Sequence, residues 1–254
     1  MLLRGMRRAL ERPEQEIDWQ PVFICPSRIG RTTMHAFSDE LQCPIIDFDV
    51  GVHDDPYFTK LLLLRKFFEN STNANDLILY LDYDHICRGN IDIPPINAHQ
   101  VFVSSETHAL GSYINEAMID NSERHKLDYT HYNTSLILGI TSTLRQAIQG
   151  WESAYLSNLR RISSRYREEI AFALSVVNSG LELCPVSTGL QGNWEFPNPS
   201  CKLFHYGGER SQAREIKNYI RSIAEGKEMD HPKSGDLFSD EIIRMAQTVT
   251  NAPF

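Results

Sequence analysis

Asp82 and Asp84 stand two residues apart at the end of an apolar run, Leu77-Ile-Leu-Tyr-Leu81. Five apolar residues led in by Asn75 and Asp76 read as a buried strand. Side chains alternate along a strand, so both carboxylates can project to one side as the chain leaves the sheet. In open α/β sheets, ligands bind outside the carboxyl ends of the strands. Two carboxylates placed there form a hard-oxygen site for Mg²⁺ or Mn²⁺, completed by phosphate oxygens of a ligand. Their mutual repulsion argues the same way, because a cation relieves it. Taken alone, the pair also fits a turn or a helix cap that holds no ligand.

The elements that must hold this pair are legible too. Short apolar runs alternate with longer helical patterns, the signature of βαβ units around a mostly parallel sheet. Strands are predicted over Val22–Cys25, Ile45–Val50, Leu77–Leu81, Val101–Ser104, Leu136–Leu138 and Lys202–Tyr206. Asp55-Pro56 places an N-cap before a proline at the first helical position, and Tyr57, Leu61, Leu64 and Phe68 follow at helical spacing. Ser142 or Thr143 caps a helix running through Trp151 toward Leu159. Tyr166 to Val177 reads as a helix with Ile170, Leu174 and Val177 on one face, and Gly180 sits where a C-terminal cap falls. Ile216, Ile220 and Ile223 mark a late helix, followed by a polar loop and a short final helix. No linker divides the chain. The reading is one α/β domain over residues 1–254, its core spanning about 20–210, with 211–254 a C-terminal helical extension.

Five short segments, taken in order, resemble one family. Leu-Tyr-Leu-Asp82-Tyr83-Asp84, followed by Arg88-Gly-Asn-Ile-Asp92, is similar to the metal motif of GT-A-fold glycosyltransferases, most of all glycosyltransferase family 8, the glycogenin and lipopolysaccharide galactosyltransferase group. Phe58-Thr-Lys60-Leu resembles that family's helix before the metal strand, and His131-Tyr-Asn133-Thr134-Ser135 its Phe-Asn-Ser-Gly segment. Arg167-Glu168-Glu169 resembles its Asp-Gln helix start, and His205-Tyr-Gly207-Gly208 its late His-Phe-x-Gly. The likeness covers roughly residues 20–210 as ordered motifs, not as continuous identity.

The resemblance implies a single GT-A, Rossmann-like domain with a mostly parallel central sheet flanked by helices. It implies transfer of a sugar from a nucleotide diphosphate donor, a UDP-sugar, to a hydroxyl of a glycan, glycolipid or protein, with retention of anomeric configuration. Asp82, Asp84 and His205 would hold the metal, and an imidazole among oxygen ligands tilts the choice toward Mn²⁺ over Mg²⁺. On its own, a histidine in an apolar run is more often a satisfied core residue; the family context assigns His205 as a ligand. Lys60 would supply a point charge to the diphosphate, and Gly207 and Gly208 a close backbone approach. Tyr83, Asn133 and Ser135 fall on the donor side, with Ser27 at the end of the first strand marking the nucleotide pocket.

Two departures from the family pattern bear on activity. Glu168 and Glu169 stand where the family has Asp and Gln, so the catalytic carboxylate is longer and gains a charged neighbour. Without the family, two acidic residues there read as a first helical turn complementing the helix dipole. The family's diphosphate lysine beyond the glycine pair is Ser211 here, leaving Arg210 or Arg214 to grip phosphate. These departures keep open a sugar-nucleotide-binding protein without turnover. A second Asp-x-Asp, Asp47 and Asp49, resembles the nucleophile loop of haloacid-dehalogenase-like phosphatases. Gly51 stands where that motif expects Thr or Val, and Asp47 and Asp49 otherwise shape a loop or cap a helix. Donor and acceptor choice would fall to the loop over Ser104–Gly111 and to the C-terminal segment.

Composition narrows the partners. With 25 Lys+Arg against 33 Asp+Glu the formal charge is −8, which argues against nucleic acid as a partner. No apolar run approaches the roughly 18–20 residues that span a bilayer. The first residues carry Arg4, Arg7, Arg8 and Arg12 among Leu2, Leu3, Met6 and Leu10, without the pattern of a secretory signal. That stretch can rest weakly on an anionic membrane surface, or pack as an ordinary helix. Five cysteines without a CxxC fit a reducing, cytoplasmic setting better than a disulfide framework or a zinc site.

Overall fold

Asp55 starts a helix as its neighbour Pro56 implies. In a computed structural model of the chain, which describes residues 22–27, 44–51, 53–71, 73–82, 85–87, 91, 93, 95–106, 131–157, 164–187, 189–193 and 202–205, helix α1 spans Pro56–Asn70. The Asp55 carboxylate accepts from the amides of Tyr57 at 3.0 Å and Phe58 at 3.3 Å. Two donors that the first turn leaves orphaned are thereby satisfied. The other described helices are α2 (Thr141–Leu156) and α3 (Ser164–Asn178). The described strands are β1 (Phe23–Pro26), β2 (Ile45–Phe48), β3 (Leu77–Leu81), β4 (His85–Cys87), β5 (Gln100–Glu106), β6 (His131–Ile140), β7 (Glu182–Pro185), β8 (Gln191–Asn193) and β9 (Leu203–His205).

The chain forms two compact units: a larger one of Pro21–Tyr80 and Pro94–Val186, and a smaller one built around Leu81–Ile93 and the described residues from Ser187 onward. The larger unit holds a four-stranded sheet in the order β3-β6-β5-β7 and a separate parallel pair, β1 and β2. Its helices pack on these sheets, giving a mixed α/β arrangement. The smaller unit holds a three-stranded sheet in the order β4-β9-β8.

The expected mostly parallel sheet is corrected to a mixed one. β5 runs parallel to β7 but antiparallel to β6, with a register shift between Val103 and Ser104. β6 is also far longer than the Leu136–Leu138 run predicts. Its N-terminal half, Tyr132 to Ser135, is buried yet largely polar, so hydropathy does not mark it as strand. Partners on α3 make that burial tolerable, as described below.

Neither Ser142 nor Thr143 caps α2. The cap position falls on Ile140, with no side-chain bond. The amides of Thr141 and Ser142 donate to the carbonyls of Asp76 at 2.8 Å and Ala74 at 3.0 Å. The Thr141 hydroxyl donates to Asp76 O and that of Thr143 to Ala98 O. Neighbouring backbone does here what a capping side chain does elsewhere. At the end of α3, Gly180 has φ of 72°, and its amide donates to Val177 O while that of Leu181 donates to Val176 O. This paired-bond ending needs a left-handed residue, which glycine adopts without steric cost.

The core lies where the three helices meet β5 and β6. Leu61, Leu64 and Phe68 of α1 join Leu144, Ile148 and Trp151 of α2, Phe172 and Leu174 of α3, and Val101, Val103 and Ile137 of the sheet. Burying each such side chain contributes about 1.5–3 kcal/mol. Helix α3 is buried at every residue from Glu168 to Val176, so it is a central helix rather than an amphipathic surface one. That placement carries two carboxylates into the interior. Among the described residues, no helix is long and apolar enough to cross a membrane.

Candidate functional site

In the smaller unit the chain leaves β3 at Leu81 and reaches Asp82, which is half-buried. Three residues on, His85 opens β4 and is fully buried. Its Nδ1 lies 3.0 Å from the carbonyl oxygen of Asp82. A carbonyl only accepts, so Nδ1 carries the proton and donates. Nε2 is then the lone-pair nitrogen, and it accepts from the Gln191 side-chain amide nitrogen at 2.9 Å. Both ring nitrogens are thus used by a neutral imidazole in a single tautomer.

Strand β4 pairs antiparallel with β9, and His85 stands opposite His205 in the register. The two rings stack, with centroids 4.8 Å apart and planes 17° from parallel. His205 is buried. β8 runs parallel to β9 on its other side and carries Gln191 at its start. Two residues far apart in sequence, Asp82 and His205, are therefore both in contact with the His85 side chain.

Carboxylate and imidazole are donor types that suit a borderline-to-hard divalent cation such as Mn²⁺ or Mg²⁺. Among the described residues, no three His, Cys, Asp or Glu side chains are grouped to hold a metal ion. Asp84, the third expected ligand, lies outside the described residues, as do Tyr83, Gly207, Gly208 and Arg210. The N-terminal basic stretch and the 211–254 extension lie outside them as well.

A second polar cluster sits in the larger unit. The Lys60 ammonium donates to the Thr134 carbonyl at 2.9 Å and to the Thr134 hydroxyl oxygen at 3.0 Å. It also lies 3.5 Å from a Glu168 carboxylate oxygen. Lysine offers only donors, so the Thr134 hydroxyl accepts from Lys60 and must give its own proton to Glu168. Its oxygen lies 2.6 and 2.7 Å from the two carboxylate oxygens. The Glu168 backbone carbonyl accepts from the Trp151 indole at 3.0 Å, which fixes α3 against α2. Beside it, Glu169 accepts from the Asn133 side-chain amide at 3.1 Å, and the Asn133 side-chain oxygen accepts from the Ser135 amide at 2.7 Å.

The structure thus brings Lys60, Asn133, Ser135, Glu168 and Glu169 together, all named by the sequence, and adds Thr134 as the link. The reading of the two glutamates as an acidic first helical turn does not hold, since α3 begins at Ser164, and both residues are buried. Next to this cluster, the Asp55 carboxylate that caps α1 also accepts from the Tyr155 hydroxyl. Burial, and then that carboxylate, push the Tyr155 phenol above its ordinary range. The Arg167 guanidinium sits 5.1 Å from the Tyr155 ring centroid. The sequence assigns no site role to Tyr155, or to Arg167 beyond its place in the Arg167-Glu168-Glu169 segment, because helix packing alone brings them together.

Ser27 stands exposed at the end of β1, its amide donating to Phe48 O at 3.0 Å. Asp49 accepts from the Gly51 amide at 3.1 Å, and Gly51 has φ of 73°, so Asp49 closes a turn after β2.

No protein-family model matches the chain, and no curated protein sequence matches it. Among solved structures it is similar to the crystal structure of mouse xyloside xylosyltransferase 1 in its apo form. The identity is 13%, the match covers 75% of this chain and 84% of that one, and the TM-score is 0.48.

Proposed function

We propose that the chain is a metal-dependent glycosyltransferase that moves a sugar from a nucleotide diphosphate donor, a UDP-sugar, to a hydroxyl acceptor with retention of configuration. The observation that carries the reading is the contact of one buried side chain, His85, with both the Asp82 backbone carbonyl and the His205 ring. It supports Asp82 and His205 being held in one ordered cluster, as a metal centre would require. Asp82, Asp84 and His205 would be the ligands. When bound, Mn²⁺ or Mg²⁺ supplies positive charge that stabilises the departing diphosphate.

The remaining roles belong to this chain's own groups. Gly207 and Gly208 would let backbone amides approach the diphosphate, with Arg210 gripping it and Tyr83 beside it. Ser27, Asn133 and Ser135 would face the nucleotide and sugar. Glu168 would be the carboxylate that acts on the reacting sugar. Its bonds from Thr134 and its ion pair with Lys60 support its being ionised and fixed in direction, against the desolvation that burial imposes. Lys60, whose ammonium is held by Thr134, would contribute its charge through Glu168. Acceptors would be glycans, glycolipids or proteins in a cytoplasmic setting, which the buried free thiols of Cys25 and Cys184 support.

One observation favours binding without turnover: both oxygens of Glu168 are already bonded by Thr134. The phosphatase reading has least support, because Asp49 is spent on its own turn. The deciding test is the melting temperature with UDP, with Mn²⁺ and with both, followed by UDP release from a panel of UDP-sugars. Stabilisation by UDP only with Mn²⁺, then UDP release, supports transfer. Stabilisation without release supports the binding protein, and no response to UDP or Mn²⁺ overturns both.

A further inference from the structure

We infer that His85 is a positioning residue for Asp82 and His205, and that Gln191 fixes it in that role. The inference rests on the metal reading above and concerns groups that reading does not use.

His85 ties down the backbone at Asp82. Its Nδ1 donates to the carbonyl of Asp82, three residues earlier, at 3.0 Å. The same ring stacks on His205 at 4.8 Å. One buried side chain thus fixes the backbone at one ligand and the ring plane of another. With both nitrogens engaged, His85 is not a ligand itself.

Gln191 sets which nitrogen of His85 donates. The bond from its amide to Nε2 at 2.9 Å requires Nε2 to be the acceptor, and hence Nδ1 to carry the proton that Asp82 receives. With His85 fully buried, loss of that amide would leave a ring nitrogen without this partner in a dry interior. Groups that orient metal ligands in this way typically change metal affinity by about 10–100-fold when removed.

The test measures the Mn²⁺ concentration that gives half of the UDP-dependent rise in melting temperature, with UDP held constant. His85→Leu removes the tie and is expected to raise that concentration by about tenfold or more. His85→Asn keeps an amide donor close to the Nδ1 position and is expected to stay within about threefold of the parent protein. Gln191→Leu leaves His85 in place and is expected to raise it several-fold, which keeps the test intact if His85→Leu fails to fold. Equal shifts for His85→Leu and His85→Asn overturn the inference, and so does an unchanged value for Gln191→Leu. In either case the metal reading stands if the parent protein responds. A parent protein whose melting temperature ignores Mn²⁺ in the presence of UDP overturns the metal reading, and the inference falls with it.

Discussion

The Thr134 hydroxyl oxygen lies 2.6 and 2.7 Å from the two carboxylate oxygens of Glu168 while accepting from the Lys60 ammonium at 3.0 Å. One hydroxyl thus links a half-buried cation to a buried anion. Removing one partner of a buried pair leaves an uncompensated charge, at about 3–5 kcal/mol. Lys60→Met should therefore lower the urea midpoint strongly, and Lys60→Met in a Glu168→Gln background should lower it much less. Thr134→Val, which keeps shape but loses the hydroxyl, should cost about 2 kcal/mol and more than Thr134→Ser. Equal costs for Val and Ser would show that the hydroxyl bridge contributes nothing.

Helices α2 and α3 meet at Gly150 and Ser175. A Cβ added at Gly150 would stand 2.5 Å from the Ser175 hydroxyl oxygen, which itself donates to the Ala147 carbonyl. Alanine is the better helix former by about 1 kcal/mol. Overpacking typically costs about 1–3 kcal/mol and should outweigh that gain. Gly150→Ala is expected to lower the melting temperature. Adding Ser175→Ala, which removes the obstructing oxygen, is expected to restore most of the loss. A Gly150→Ala protein that melts higher than the parent would show that Ser175 moves aside freely.

What could be read in advance followed how strongly each element is marked. Asp55-Pro56 and the Leu61, Leu64, Phe68 spacing located α1, and five apolar residues located β3 to the residue. Strands β4, β7 and β8 were missed because three or four residues such as Gln191-Gly-Asn193 have no periodicity to read. The first half of β6 was missed because its buried side chains are polar, and their acceptors sit on α3 more than thirty positions later in sequence. The two polar clusters show the same division. Asp82, Lys60, Glu168 and His205 stand out by residue type within ordered motifs. Thr134, His85 and Gln191 do not, since their importance comes from strand register and helix packing.

Alkaline pH should weaken the fold through Cys184. Burial first, and the Glu182 carboxylate second, push its thiol from the ordinary 9.0 up to about 11. A raised folded value means that the contribution to stability is complete below pH 9.0 and is lost as pH climbs toward about 11, because the unfolded chain ionises first. The denaturation midpoint should fall between those values, and Cys184→Ala should fall less over the same window. The same burial predicts that Cys184, and Cys25, whose thiol is also raised, resist iodoacetamide at pH 8 until the protein is unfolded. Peptide-resolved labelling checks this, and rapid native modification of either thiol would contradict it.

The proposed chemistry separates into binding and transfer, and two substitutions should part them. Asp84→Asn removes one expected metal ligand, so UDP should no longer stabilise the protein in the presence of Mn²⁺, while the melting temperature without ligands stays close to that of the parent. Glu168→Gln keeps the hydrogen-bonding shape but removes the charge opposite Lys60. Mn²⁺-dependent UDP binding should change by less than about threefold, while UDP release from the best donor should fall by about a hundredfold or more. An interaction made only in the transition state lowers turnover without weakening ground-state binding, and a hundredfold loss corresponds to about 2.7 kcal/mol. Glu168→Gln also breaks a buried ion pair, so its melting temperature must be measured beside its rate. If turnover and UDP affinity fall together in a well-folded Glu168→Gln protein, Glu168 is an organiser of the Lys60 and Thr134 cluster and not the reacting carboxylate. Glu169, bonded to Asn133, would then be the carboxylate to test next.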